Sequence, residues 1–329
     1  MDERVPFHTI AICTARGVPS LSGTLPQLCR CLTPTVPAEI LVIYNQSDGD
    51  VERVQSYVQR VCGEYSVMCS VVHEAAAGIA NARNRALDVA RGEIMSFLDD
   101  DTAPCDSRWQ PAMLEAFTFD ARIAMVGGPV MLRLPRSVDP RPTWYSGRVE
   151  QLLGCYGRDQ ASGYYGACGV NSGNASYRLA AIRQAVGLRF CLALGAGWSN
   201  GSKGAVGGEE TLFNLMLEDC GHRAWFAERA AVHHYIDSAR WKPRWLLTRA
   251  RALGRTIEVV SRMHTIPGDR RGHPLRYGAR VLMGLVKCIS AVCIGRIDRA
   301  FSSLCDAEVS VGRLEAAIQR RGSAAMEGP

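Results

Sequence analysis

Three consecutive aspartates, Asp99, Asp100 and Asp101, directly follow the apolar segment Ile94–Leu98. Carboxylates this close repel one another, and a bound cation would relieve the repulsion. Hard divalent ions such as Mg²⁺ and Mn²⁺ take carboxylate and phosphate oxygens together, so a diphosphate would complete their coordination shell. The alternative is a solvated acidic turn, but a position at the end of a buried strand favours the metal interpretation.

A second group of candidate residues lies much further along the chain. Glu209 and Glu210 begin a predicted helix, where they would act as acid–base groups or simply favour the helix N-terminus. His233 and His234 lie at the end of a predicted strand that begins at Ala224. Adjacent strand residues face opposite sides, so only one imidazole can point into a site. Either histidine would otherwise be a buried core residue.

The elements that must position these groups begin with alternating strand and helix patterns. We predict strands at His8–Cys13, Glu39–Tyr44 and Ile94–Leu98, and helices at Asp50–Cys62 and Ile79–Ala90. This alternation predicts a parallel sheet with helices on both of its faces. Two later segments, Ala124–Leu132 and Ala224–His233, are each predicted as one further strand.

Polar side chains follow each predicted strand. Thr14 and Arg16 follow the first strand, Asn45 and Asp48 follow the second, and Asp99 follows the third. Because ligands of parallel sheets bind outside the carboxyl ends of the strands, we expect these side chains to share one ligand site.

The composition of the chain excludes several classes of protein. Its 329 residues are 47% hydrophobic and 21% charged, as in ordinary soluble globular proteins. Thirteen cysteines without a Cys-x-x-Cys pair, and no secretory signal pattern, predict reduced thiols in the cytoplasm and neither a disulfide scaffold nor structural zinc. Residues Arg240–Ala300 carry 14 Lys and Arg against 3 Asp and Glu, which predicts an anionic partner or a solvated basic face.

Several motifs occur in an order that resembles the family 2 glycosyltransferases of the GT-A fold. The matching segments are Gly78–Asn84, Arg91–Glu93, Phe97–Asp101, Gly169–Tyr177, Gly207–Thr211 and Val232–His234. The resemblance extends from about Thr9 to Arg255. It implies a Rossmann-like α/β fold, with a mostly parallel central sheet, helices on both faces and a basic helical C-terminal extension. We predict a nucleotide-sugar-binding half over residues 1–125, an acceptor and catalytic half over 126–240, and the helical region over 241–329.

The resemblance also implies roles for the acidic residues and the histidines. Asp101 would bind the metal, Mn²⁺ or Mg²⁺, and Asp99 would lie near both the metal and the ribose, with Asp100 beside them. His234 would be the second metal ligand, with His233 as the alternative. Glu210 stands where the family has its catalytic aspartate, and Glu209 precedes it.

These roles imply an inverting transfer of a sugar from a nucleoside diphosphate, most often UDP in this family, to a hydroxyl or similar acceptor. Glu210, or else Glu209, would take the proton of the acceptor as general base. Thr14, Arg16 and Asn45 would hold the nucleotide, and Arg83 would reach the diphosphate unless it is a surface arginine.

One departure from the family pattern concerns the nucleobase. The family usually has an aspartate directly after its second strand, but Tyr44 stands at that position. Asp48 would substitute for the aspartate, or Tyr44 would stack on the base. Further on, the glycine-rich segment Gly195–Gly208 would meet the acceptor, where Trp198 either stacks on a sugar or packs the loop down.

Two other functions remain as alternatives. The chain would be a sugar-nucleotide-binding protein without turnover, or a metal-dependent nucleotidyl or phosphoryl transferase. No Walker-type glycine-rich loop supports the latter, and no nucleic-acid-binding module occurs in the basic C-terminal third. The acceptor is left open as a glycan, a lipid-linked compound or a small molecule.

The C-terminal third has two amphipathic patterns. In Trp245–Met263, apolar residues form one stripe, and Arg244, Arg251, Arg255 and Arg262 lie on the opposite side. Leu275–Ile294 is long and apolar, but its Arg276, Arg280 and Lys287 disfavour a transmembrane helix. These helices would either contact the inner face of a membrane peripherally, or pack their apolar stripes on the protein itself while the arginines face water.

Overall fold

The structure, a computed structural model, describes residues 6–47, 49–135, 141–195, 206–269 and 272–326, with side chains to residue 319. Its strands are β1 (His8–Thr14), β2 (Ala38–Tyr44), β3 (Met68–His73), β4 (Ile94–Asp99), β5 (Thr102–Pro104), β6 (Ile123–Gly127), β7 (Val130–Arg133), β8 (Gly163–Tyr165), β9 (Asn174–Arg178), β10 (Arg223–Phe226) and β11 (Val232–Tyr235). Its helices are α1 (Val18–Cys31), α2 (Val51–Glu64), α3 (Ile79–Val89), α4 (Trp109–Ala116), α5 (Gly147–Leu152), α6 (Leu179–Gln184), α7 (Glu209–Asp219), α8 (Pro243–Met263), α9 (Pro274–Cys293) and α10 (Ile297–Met326).

The main sheet has eight strands in the order β3-β2-β1-β4-β9-β6-β10-β8. β1 pairs in parallel with both β2 and β4, and β2 pairs in parallel with β3. β9 runs antiparallel between β4 and β6, and β10 returns parallel to β6. The mostly parallel sheet expected from the sequence is therefore confirmed, and the carboxyl ends of β1 to β4 lie at one edge.

Helices cover both faces of this sheet, as predicted. Ile10 and Ile12 of β1 contribute to a core that includes apolar residues of α1, α2 and α4. Ala11, which lies between them, faces a second core with residues of α3, α6 and α7. A strand buried on both faces has an almost continuous apolar sequence, and this explains why the pattern at His8–Cys13 was readable.

Two segments predicted as single strands are each two strands. Ala124–Leu132 divides into β6 and β7, and Ala224–His233 divides into β10 and β11. The two breaks pass each other so closely that a Cβ at Gly128 would overlap the carbonyl oxygen of Ala230. Beyond this crossing, β11 pairs with β5 and β7 in a separate three-stranded sheet.

Helix α1 and strand β3 are among the elements that the sequence patterns do not reveal. Helix α1 has a proline in its first turn and a second proline, Pro26, in its interior, and interior prolines normally disfavour helices. β3 is the edge strand of the main sheet, and its side chains are only partly buried or exposed. Half-exposed edge strands lack the apolar run that identifies a buried strand.

The chain divides into two compact units. The first contains Met1–Arg133, Tyr156–Ala193 and Glu209–Tyr235, and the second contains the remainder. Each unit combines several stretches of the chain, so the units do not correspond to the predicted segments 1–125, 126–240 and 241–329. That division into three segments stays a prediction.

The second unit contains the C-terminal helices, which form where the sequence predicts them. Three arginines on the polar side of α8 are paired within this unit. Arg251 contacts Glu308 and Arg255 contacts Glu315, both of α10, while Arg262 contacts Glu258 of α8 itself. The polar side of α8 therefore packs in part against α10, whereas the second alternative has these arginines facing water. Contact of these helices with a membrane stays a prediction. None of the helices that the structure describes is both long and apolar enough to span a membrane.

Candidate active site

The aspartates after β4 are linked to the end of β1. Thr14 donates a hydrogen bond to Asp100 Oδ2 at 2.6 Å, and Arg16 Nη2 donates to Asp100 Oδ1 at 2.5 Å. Arg16 Nη2 also lies 3.4 Å from Asp101 Oδ2. The buried Asp100 is thus occupied by protein partners, while the Arg16 side chain is 49% exposed. Arg16 can therefore contact a bound anion and still neutralise part of the acidic turn.

Asp101 lies beside His234. The distance between Asp101 Oδ1 and His234 Nε2 is 3.5 Å. The register is fixed by the backbone, because Tyr235 N–H donates to the Asp101 carbonyl oxygen at 2.8 Å and His234 pairs with Thr102. Of the two candidate histidines, the structure therefore turns His234 toward the acidic turn.

His233 points to the other side of β11. Its Nδ1 lies 2.9 Å from the Cys105 sulfur, and its Nε2 lies 2.6 Å from Arg133 Nη2. A guanidinium can only donate, so Nε2 accepts this hydrogen bond. Burial, followed by the charge of Arg133, lowers the pKa of His233. His233 is therefore a neutral structural residue in this arrangement.

Asp99 faces the start of β9. A Cβ at Gly173 would lie 3.0 Å from Asp99 Oδ2, so the glycine-rich segment leaves room for this carboxylate. Burial and the neighbouring carboxylates of Asp101 and Asp100 raise the pKa of Asp99, against the lowering effect of Arg83. A carboxyl with a raised pKa at a polar cleft is typical of a functional site.

Arg83 connects the acidic turn to the start of α7. Its Nη1 donates to Glu209 Oε1 at 2.5 Å, and its Nη2 lies 3.5 Å from Asp99 Oδ1. The guanidinium is buried and lies over the Phe97 and Phe190 rings. The alternative of a surface arginine is therefore wrong. Burial alone would lower the pKa of Arg83, but the surrounding carboxylates raise it.

Glu209 and Glu210 have different environments. Glu209 is buried against Arg83, whereas the Glu210 side chain is 26% exposed and its Oε2 lies 3.9 Å from Arg83 Nη1. Desolvation and the charge of Glu209 raise the pKa of Glu210 to about 8. Both residues lie in the first turn of α7, which also favours negative charge. The structure therefore separates one carboxylate held in an ion pair from one with a raised pKa.

Asn45 shapes the edge of the site through backbone contacts. Its amide donates to the carbonyl oxygens of Glu74 and Ala76, and its Oδ1 accepts from Gly78 N–H at 3.0 Å. Gly78 has φ +122°, a conformation that favours glycine, directly before α3 begins. Asn45 therefore positions the loop that leads to Arg83.

The other residues considered for the nucleobase are placed differently. Tyr44 is 7% exposed and belongs to the apolar core, so it does not offer a face for stacking. Asp48 and Trp198 lie outside the described residues. The unpredicted β3 instead adds His73, which is exposed and lies 2.7 Å from the carbonyl oxygen of Gln46.

Residues 9–185, more than half of the chain, match the model of Glycosyl transferase family 2. The chain is therefore a family 2 glycosyltransferase. This glycosyltransferase is 28% identical over 259 residues to the "Succinoglycan biosynthesis protein ExoM" of Rhizobium meliloti, covering 75% of this chain and 72% of that protein. It is 20% identical over 240 residues to the "Glucosyl-dolichyl phosphate glucuronosyltransferase" of Haloferax volcanii, covering 73% and 72%.

Solved glycosyltransferases share its GT-A fold. A mannosyltransferase from Pyrobaculum calidifontis, solved with GDP-Man and Mn²⁺, superposes with a TM-score of 0.54 at 16% identity, covering 98% of this chain and 76% of that chain. GalNAc-T7, solved with UDP, GalNAc and Mn²⁺, superposes with a TM-score of 0.52 at 15% identity, covering 82% and 53%. The predicted family, fold class and enzyme class are confirmed.

Proposed function

We propose that this glycosyltransferase inverts the anomeric centre of a nucleoside-diphosphate sugar, with Glu210 as the general base. The observation that carries the proposal is the place of Glu210, whose Oε2 lies 3.9 Å from the same Arg83 guanidinium that contacts Asp99. Burial and the charge of Glu209 raise the pKa of Glu210 to about 8. A base is most effective when its pKa lies near the working pH. Glu210 would take the acceptor proton while the acceptor oxygen attacks from the face opposite the leaving diphosphate.

Glu209 has a positioning role in this proposal. Its buried ion pair with Arg83 fixes the start of α7, and its charge helps to raise the pKa of Glu210. Arg83 in turn contacts Asp99, so one guanidinium holds the base near the donor end of the site. The contact with Glu209 and Asp99 supports this linking role for Arg83, and direct contact with the diphosphate stays a prediction.

The residues at the acidic turn fit a divalent cation. Asp99 and Asp101 offer carboxylates, and His234 offers an imidazole 3.5 Å from Asp101. Among the described residues, no group of three or more His, Cys, Asp or Glu side chains is arranged to hold a metal unaided. In this proposal, phosphate oxygens of the donor complete the shell. Once bound, Mn²⁺ or Mg²⁺ would stabilise the charge of the departing diphosphate.

Thr14 and Arg16 would hold the donor indirectly and directly, respectively. Thr14 fixes Asp100, and Arg16 has an exposed guanidinium beside the same turn. The sequence resemblance favours a UDP-sugar as donor. Because the solved neighbours contain GDP-Man in one case and UDP in the other, both UDP- and GDP-sugars are to be tested.

We also propose that the acceptor hydroxyl belongs to a lipid-linked compound and that the protein works in the cytoplasm, at the inner face of a membrane. The Haloferax relative is named for a glucosyl-dolichyl phosphate, and this name supports a lipid-linked acceptor. All thirteen cysteines are free thiols, which fits a reducing compartment.

The decisive experiment incubates the protein with UDP- and GDP-sugars, Mn²⁺ and lipid-linked or free sugar acceptors, and measures released nucleoside diphosphate. We expect one donor class to turn over, EDTA to stop turnover, and NMR of the product to show an inverted anomeric configuration. Glu210→Gln should lower the transfer rate by roughly 10²-fold or more while donor binding stays close to that of the unchanged protein.

Glu209→Gln is the matched control for Glu210→Gln. It should weaken folding more than Glu210→Gln does, because it leaves the buried Arg83 without its shortest ion pair. If Glu209 proves essential for transfer in a folded variant and Glu210 dispensable, the assignment of the base is wrong. Donor binding without release of nucleoside diphosphate would favour a sugar-nucleotide-binding protein without turnover. Transfer of a nucleotidyl or phosphoryl group would favour a metal-dependent nucleotidyl or phosphoryl transferase.

A further inference from the structure

Helix α9 is held against α10 along one face. Tyr277, Gly284 and Ala291, spaced seven residues apart, are buried. Gly284 permits a close helix contact, since a Cβ there would lie 2.9 Å from the Ala307 Cβ. Tyr277 also donates a hydrogen bond to the buried Glu258 of α8 at 2.7 Å. The orientation of α9 within the second unit is therefore fixed.

The opposite face of α9 is apolar and exposed. Leu275, Leu282 and Ile289 are 78%, 66% and 64% exposed, and their spacing of seven residues places them on one side of the helix. Further exposed apolar residues are Met283, Val286, Val292 and Ile294. A groove of about 640 Å³ between α9 and α10, lined by Leu275, Leu282 and Leu314 among others, continues this face. Contiguous apolar patches of this kind mark interaction surfaces.

A basic stripe borders the apolar face. Arg276, Arg280 and Lys287 are exposed and follow one another at spacings of four and seven residues, which places them on one side of the helix. No Asp or Glu occurs between Gly272 and Ile297. The occupant of this surface must therefore offer both an apolar environment and negative charge.

We propose that the exposed face of α9 docks in the plane of a membrane that contains anionic lipids. A helix of this length is about 30 Å long and would lie parallel to the surface, with its apolar side chains among the acyl chains. The long basic side chains at its border reach the anionic headgroups. Three arginines on the polar side of α8 are instead paired with glutamates of the second unit. The proposal rests on the membrane location proposed above, but its failure would leave the transferase proposal intact, since the donor-site residues belong to the first unit and α9 to the second.

The experiment is flotation of the purified full chain with vesicles, without donor or acceptor. We expect binding to vesicles of phosphatidylglycerol and phosphatidylcholine at low salt, and weaker binding at high salt or to phosphatidylcholine alone. Leu282→Gln together with Ile289→Gln should lower the partition constant at least about tenfold, since burial of one large apolar side chain changes it by about that factor. Arg280→Glu with Lys287→Glu should remove the salt dependence.

The matched control is Val186→Gln with Leu192→Gln, which removes two exposed apolar side chains from the first unit. This control should float like the unchanged protein, and circular dichroism should show all variants folded. A second readout uses Ile289→Trp, whose fluorescence should be quenched by lipids brominated on the acyl chains. Protein that stays at the bottom of the gradient at low salt overturns the proposal. The proposal is also overturned if Leu282→Gln with Ile289→Gln floats as well as the unchanged protein. The same holds if the unchanged protein does not float and instead forms a dimer that this variant dissociates.

Discussion

At the scale of single residues, two adjacent glutamates show how position decides chemistry. Glu209 forms a buried ion pair with Arg83, in which Glu209 Oε1 lies 2.5 Å from Arg83 Nη1. Glu210 lies one position further along α7 and is 3.9 Å from the same guanidinium. Arg83 therefore occupies the Glu209 carboxylate, whereas desolvation and the charge of Glu209 raise the pKa of Glu210. Of the two side chains, Glu210 is thus the candidate base.

The pH dependence of transfer tests the role of Glu210. A base acts when it is deprotonated, so kcat/KM should rise with pH up to about 8, the pKa of Glu210. Well below that value the rate constant should fall about tenfold per pH unit, as the deprotonated fraction falls. Initial rates at low donor concentration from pH 5 to 10 measure this profile.

Glu210→Gln is the control, and its residual rate should not change over the same range. Stability should respond in the opposite sense to activity. The folded protein binds this proton more tightly than the unfolded chain does, so the free energy of unfolding should fall as pH rises from the ordinary value of 4.5 to about 8. A rate that instead declines as pH rises toward 8 would identify Glu210 as an acid.

At the scale of elements, glycines set how closely the C-terminal helices pack. A Cβ at Gly254 of α8 would overlap the backbone carbonyl of Val309 in α10, and a Cβ at Gly312 of α10 would overlap that of Arg251. Glycine is a poor helix residue, so two glycines at one helix crossing indicate that close approach outweighs helix propensity there. The Arg251 and Arg255 ion pairs lie along the same crossing.

Gly254→Ala should therefore destabilise the protein, although alanine favours helices. We expect a loss of about 1–3 kcal/mol in the free energy of unfolding from overpacking, measured by urea denaturation. Gly278→Ala in α9 is the matched control, because nothing lies within 4 Å of a Cβ at that position. That variant should be as stable as the unchanged protein or up to about 1 kcal/mol more stable. Equal stability of Gly254→Ala and Gly278→Ala would show that the helices adjust their distance freely.

At the scale of the whole molecule, ligand binding and folding are linked. A ligand that binds only the folded chain stabilises it, by about 2.7 kcal/mol at a hundred times its dissociation constant. The proposed donor site uses the ends of β1 and β4, the start of α7 and the strand β11, which are far apart in sequence. Such a site exists only after folding, so its occupancy should raise the unfolding temperature.

Asp101→Ala tests this linkage. Mn²⁺ together with UDP or GDP should raise the unfolding temperature of the unchanged protein by several degrees, and this shift should disappear in the variant. Asp88→Ala removes an aspartate whose ion pair with Arg189 is exposed, so it should keep the shift. An undiminished shift in Asp101→Ala, measured by differential scanning fluorimetry, would remove Asp101 from the metal site.

Local sequence patterns are enough to identify several strands and helices and to place the acidic turn. Apolar runs and helical periodicity identify β1, β2, β4 and α7, because local patterns reflect which faces are buried. Asp99 to Asp101 follow one of these runs, so their place at a strand end was predictable. The order of the family motifs along the chain predicts glycosyl transfer, and the match to the family model confirms it.

The tertiary structure decided which side chain faces which. His234 rather than His233 meets Asp101 because β11 pairs with β5 in one register, and a shift of one residue would exchange the two. Likewise, Arg83 selects Glu209 rather than Glu210 through the packing of α3 and α7 against the same core. α10 packs against the side of α9 that carries Gly284, so the opposite, apolar side of α9 is the exposed one. These choices depend on contacts between distant segments, and local sequence patterns do not encode them.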